Sequence, residues 1–138
     1  MEEKGKSVLT LDLVMFEDVQ YSRKLTESPS LPEYEMNFVR TVNENPDKVH
    51  AKVSLTANIR SKDDSISLKI TIAGFFSCDY SNEETRKILI YENAVAILFP
   101  YLRSQITLVS TQPGLPSIII PPVNIVDLFN STETGNNL

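Results

Sequence analysis

Three places in this 138-residue chain carry side chains that could do chemistry. His50 has an imidazole able to act as a general base near neutral pH. Cys78 has a thiol that becomes a nucleophile when ionised. Asp63 and Asp64 together have the look of an acid pair that could share proton transfer. None comes with the partners its chemistry needs. His50 falls on the polar side of an alternating segment, where a lone histidine is expected to be solvated. Cys78 has no CxxC partner, so a buried thiol is the plainer reading. The two aspartates sit in "SKDDS" (61–65), a turn by composition. With four glycines and neither GxxxxGK[ST] nor GxGxxG, a nucleotide loop is not expected. The "NST" at 130–132 fits a glycosylation pattern but carries no weight without a secretory signal. No enzyme is expected, and no metal or cofactor.

The elements that would hold these residues are easier to read. Val49, Ala51, Val53, Leu55, Ala57 and Ile59 alternate with His50, Lys52, Ser54, Thr56, Asn58 and Arg60, the period of a half-buried strand. Ile66, Leu68, Ile70 and Ile72 alternate with Ser65, Ser67, Lys69 and Thr71 in another. Tyr34, Met36 and Phe38 mark a strand before these two. Residues 8–21 mark a first one, with Leu9, Leu11, Leu13 and Met15 on one side and Val14 and Phe16 on the other, as if covered twice. "SPSLP" (28–32) and "NENPDK" (43–48) separate them. The short connections predict a four-stranded antiparallel meander.

The period then changes. Ser81 and Glu84 have the spacing of a capping box, predicting a helix over 82–110. Its apolar stripe is Ile88, Tyr91, Val95, Leu98, Leu102, Ile106 and Val109, and Pro100 predicts a kink or a division into two helices. "QPG" (112–114) ends it, Asn124 could cap a short last helix through Phe129, and residues 130–138 read as a polar tail. Strands followed by helices predict an α+β domain over 1–129, with a long helix and a short C-terminal helix packed on one face of the sheet.

The totals bound the partners. The net charge of −5 argues against a nucleic-acid surface. No apolar run approaches the roughly 20 residues of a membrane span, and Asp12 breaks the apolar start of the chain, so neither insertion nor a signal peptide is expected. The single cysteine fits a reducing compartment, and the cytoplasm is the expected location.

One stretch resists this reading. After Ser110, Pro113, Pro116, Pro121 and Pro122 break up a segment that still carries Leu115, Ile118, Ile119 and Ile120. Proline suits neither a core strand nor a helix interior, and a surface loop has no need of such side chains. Something apolar must lie against this segment.

Here the sequence resembles the SecB family of ATP-independent protein-export chaperones. The resemblance rests on Leu98-Phe99-Pro100-Tyr101, Arg103, Ile106-Thr107, Pro116, Pro122-Val123-Asn124 and Leu128-Phe129, with "GFFS" (74–77) matching the end of the family's fourth strand. The resemblance implies a homotetramer, a dimer of dimers built on the long helix. It also implies a groove beside the sheet in which unfolded polypeptide binds under the proline-rich loop. On this chain the wall of that groove would be Ile66, Leu68, Ile70 and Ile72. The helix would add Thr107 and Val109, and the lid Leu115, Ile118 and Ile120. The plain alternative is that the four strand residues are ordinary core beneath the helix, because a small sheet buries one face anyway.

Family members that deliver clients to the SecA motor use acidic positions on the outer sheet face. Asp18 matches one such position, but Ser22 and Lys69 stand at two others. SecA therefore stays open as a partner. The first reading is a holdase for protein export; the guarding of an antitoxin in a toxin–antitoxin–chaperone system and a stable adaptor for one folded partner are the alternatives.

Overall fold

A computed structural model describes residues 9–25, 33–79, 82–113 and 115–121. The expected last helix and polar tail lie outside these residues, as does Ser81 of the expected capping box. Four strands form one antiparallel sheet: β1 (Leu9–Arg23), β2 (Tyr34–Glu44), β3 (His50–Ser61) and β4 (Ile66–Cys78). The alternation is realised from Ala51 to Ile59 in β3 and from Ile66 to Ile72 in β4, while Val49 falls in the turn before β3 and is half-buried. Ala51, Val53, Leu55, Ala57 and Ile59 share one buried face with Ile66, Leu68, Ile70, Ile72 and Phe76. Both tight hairpins turn through a residue with positive φ, Lys48 (59°) and Asp64 (62°), the left-handed position that follows a type I turn in such loops.

The strand order is β1-β4-β3-β2, not the expected meander. The three hairpin-linked strands β2, β3 and β4 are adjacent, and β1 lies beside β4, a Greek-key order. Reaching β2 from β1 crosses three strand spacings, about 14 Å. The connection from residue 24 to residue 33 has ample length for that.

β1 is not covered on both faces either. Its register against β4 shifts between Leu11 and Leu13 and again between Phe16 and Asp18. Each shift inserts a residue and swaps the faces that follow. Val14 and Phe16 therefore pair with Gly74 and Ile72 on the core side, while Leu13 and Met15 pair with Phe75 and Ala73 on the outer side and stay exposed. Two bulges, rather than a second layer, explain the two-sided apolar pattern.

The helical region runs as α1 (Glu83–Ile88), a π turn (Leu89–Asn93) and α2 (Ala94–Ser110). Asn82 caps it, accepting a hydrogen bond from the Thr85 N–H at 3.0 Å, so the cap falls one residue after Ser81. α2 runs through Pro100 without a break in its assignment. The acceptor that Pro100 leaves unpaired belongs to Ala96, an exposed residue, so water can serve it. The division falls at the π turn instead. Its wider turn changes the phase of the stripe: Ile88 points outward, whereas Ile90, Ala94, Val95, Leu98, Leu102 and Ile106 are buried. Arg40 holds this turn from β2, donating to the Tyr91 carbonyl at 2.7 Å with its guanidinium 5.8 Å from the Tyr91 ring centre.

α2 packs on β4 and β3 through "GFFS". A Cβ built on Gly74 would lie 2.8 Å from Leu98 Cδ2 and 2.6 Å from Phe76 Cε1, closer than van der Waals contact permits. A side chain at residue 74 would require the Phe76 and Leu98 side chains to move.

Candidate functional site

The chemically suggestive residues do not assemble into a reactive centre. His50 is solvated at the β2–β3 hairpin, its Nδ1 2.6 Å from Asp47 Oδ2. Val49 and His50 N–H groups and the imidazole hold the Asp47 carboxyl far below its usual range. Asp63 Oδ1 accepts from Ser61 Oγ at 2.7 Å, Ser65 Oγ at 2.7 Å and Ser65 N at 3.0 Å. These bonds pull its pKa down to about 2, and their purpose is to close the β3–β4 turn. Cys78 is fully buried, and burial pushes its thiol pKa up, against thiolate chemistry. Among the described residues, no three His, Cys, Asp or Glu side chains gather as a metal would require.

The proline-rich segment finds its apolar partner within the fold. After α2 the chain returns along the helix end, and residues 117–121 run extended without joining the sheet. Ile118 and Ile120 are buried and belong to the same apolar cluster as Ile66, Leu68, Ile70, Ile72 and Ile106. Ile119 between them is 75% exposed, and Leu115 is 41% exposed. This in–out–in alternation is that of a strand, but one held by side chains. Thr107 Oγ1 donates to the Ile118 carbonyl at 2.9 Å, and the Ile118 N–H donates to Ser110 Oγ at 2.8 Å. Ser110 Oγ in turn donates to the Ile106 carbonyl at 2.8 Å. Thr111 Oγ1 and Ser117 Oγ lie 2.8 Å apart beside this latch.

The nine residues expected at a groove are therefore divided. Ile66, Leu68, Ile70 and Ile72 are 0–2% exposed and lie in the buried cluster. Thr107 and Val109 are half-buried at the helix end, and Ile118 and Ile120 seal the core, leaving Leu115 as the accessible apolar member. Open apolar surface lies elsewhere, where sequence reasoning had not placed it. Ile97, Tyr101 and Leu108 form an exposed stripe on the far side of α2. Val19 pairs with Ile70 on the helix side of the sheet, yet is 45% exposed. A cleft of about 370 Å³ lies between β1 and α2, lined by Phe16, Pro100, Tyr101, Ser104 and Gln105. The spacing of residues 97, 101 and 108 was the available signal, masked by the richer stripe beside it.

On the outer sheet face, Asp18, Ser22 and Lys69 come together near the β1–β4 seam. Lys69 Nζ lies 3.8 Å from Asp18 Oδ2, and Gln20 Nε2 donates to the same carboxylate at 2.8 Å. Lys69 thus sets a cation beside the acid on the same face, and Ser22 pairs with Ser67.

Comparison with known proteins fits these elements. The family model for preprotein translocase subunit SecB matches residues 8–135. The chain belongs to the SecB family. Among SecB relatives, the protein-export protein SecB of Neisseria meningitidis serogroup B is 23% identical over 96% of this chain and 95% of its own. The SecB of Orientia tsutsugamushi strain Boryong is 24% identical over 83% of this chain and 71% of its own. The fold is similar to that of the Mycobacterium tuberculosis SecB-like chaperone, solved with a ChAD peptide from the HigA1 antitoxin. That likeness has a TM-score of 0.71 at 15% identity, over 83% of this chain and 90% of the other. The four-stranded antiparallel sheet with its long helix is the SecB-like α+β fold, and the protein is a chaperone of the SecB type. Among the described residues, no helix is long and apolar enough to cross a membrane.

Proposed function

We propose that this chain is an ATP-independent holdase of the cytoplasm, a homotetramer that binds unfolded polypeptide where the lid of residues 115–121 now lies. One observation carries the reading: Ile118 and Ile120 are inserted into the core by an extended segment between Pro116 and Pro121. The lid is already the shape of an unfolded client, a chain without secondary structure whose alternate side chains are buried. A client that displaced it would reach the apolar cluster containing Ile66, Leu68, Ile70 and Ile72, with Thr107 and Val109 at one border.

Each apolar client side chain buried contributes about 1.5–3 kcal/mol before ordering costs. One site binds weakly and with little sequence preference. Several sites in an oligomer raise avidity by roughly 10²–10⁴ for a client long enough to span them. The stripe of Ile97, Tyr101 and Leu108 supplies apolar surface for such an assembly. A folded protein cannot bridge the sites, and selectivity for non-native chains follows.

The test is aggregation of several unrelated denatured proteins diluted into buffer. Suppression at near-stoichiometric chaperone supports the holdase. Tight binding to a single native partner, with no suppression, would instead support an adaptor. The second reading, antitoxin control rather than export, is favoured by the Asp18–Lys69 pair, which leaves little negative potential for a basic motor partner such as SecA. A related fold binds an antitoxin peptide. Calorimetric titration with SecA, and with antitoxin peptides, separates the two.

A further inference from the structure

Both main-chain polar groups of Ile118 are taken by hydroxyls of one helix turn. Thr107 and Ser110, three residues apart, lie on one face of α2. Thr107 Oγ1 donates to the carbonyl and Ser110 Oγ accepts from the N–H. Ser110 is 1% exposed and its own proton is directed at the Ile106 carbonyl at 2.8 Å, which leaves its oxygen set as an acceptor. The lid is thus held as a neighbouring strand would hold it, through main-chain atoms present in every residue other than proline.

We propose that Thr107 and Ser110 form a main-chain clamp for extended polypeptide, and that Ile118 occupies it as an internal client. The proposal rests on the holdase reading and gives it a recognition rule. The clamp reads the peptide group and the core takes the side chain, so affinity follows the presence of an apolar residue with a free N–H, whatever the surrounding sequence. The lid competes as a tethered ligand at high effective concentration. Binding is therefore an exchange of one extended segment for another, and both segments lose and make the same two hydrogen bonds.

The test uses the full chain carrying Ile118→Ser and Ile120→Ser, which weakens the lid, and a labelled, end-capped peptide of the lid sequence LPSIIIP. The peptide should bind this chain at least about tenfold more tightly than the unaltered one. N-methylation of its first isoleucine removes the N–H and should weaken binding about three- to tenfold. In a chain that also carries Ser110→Ala, the same methylation should cost less than about twofold, because the acceptor is gone. If circular dichroism shows that the Ser110→Ala chain does not fold, Thr107→Val with a thioamide at that isoleucine gives the equivalent cycle on the carbonyl side. A methylation cost unchanged by Ser110→Ala overturns the clamp, as does equal peptide binding by the two lids. If such chains still suppress aggregation, the holdase stands and the clamp alone falls. If they do not, both fall.

Discussion

Arg86 of α1 donates through Nη1 to Glu44 Oε1 at the end of β2 while its own side chain is only 2% exposed. The bond to Glu44 holds the guanidinium firmly protonated, and among the described residues its Nε and Nη2 have no partner. A buried charge with one satisfied edge is stable only while that partner remains. Glu44→Gln should cost about 3 kcal/mol, because it strands the cation. Arg86→Met, which removes the cation itself, should cost less than about 1.5 kcal/mol. Urea melts of the two variants check the order, and equal losses would mean that the pair acts through packing alone.

Gly74 under Leu98 offers a second test. Gly74→Ala places a methyl where Phe76 and Leu98 already are. A shift of α2 away from β4 should follow, with a loss of about 1–3 kcal/mol. A midpoint in urea within error of the unaltered chain would show that the Leu98 and Phe76 side chains step aside freely.

Acid should loosen the β3–β4 turn. Asp63 has a folded pKa of about 2 against an ordinary 3.8. Its contribution is present above the ordinary value and is lost as pH falls from about 4 through 2. Asp63→Asn should lower the melting temperature at pH 7 and flatten its decline over that window. Parallel melting curves for the two proteins between pH 4 and 2 would contradict the assignment.

Client binding and stability should separate along the lid. Ile70 is 0% exposed, so Ile70→Asp buries a carboxyl and should unfold the chain or cost more than about 4 kcal/mol. Leu115 is 41% exposed, so an aspartate there keeps its carboxylate in water. Leu115→Asp should hold stability within about 1 kcal/mol and reduce capture of denatured client severalfold, measured by light scattering during dilution.

The features legible in the sequence are local. The period-two runs of β3 and β4 required a two-faced sheet, because alternate side chains point to opposite faces. The 3.6-residue spacing of Val95, Leu98, Leu102 and Ile106 required a helix laid on it. The prolines on either side of Ile118, Ile119 and Ile120 required something apolar to lie against a segment that is neither core strand nor helix, and family motifs around it identified the kind of protein. The tertiary structure decided what depends on residues distant in the chain. β1 lies beside β4 because a long connection can reach either edge, and no local pattern records which. The bulges in β1 and the π turn each move the faces by one residue, a shift that is legible only against a partner strand or a packed core. Ser110 reads as one more helix-end serine until Ile118, eight residues on, folds back onto it. Periodicity could not say what covers the isoleucines of β4, since core and groove wall need the same alternation; in the folded chain they share one buried cluster with Ile118 and Ile120.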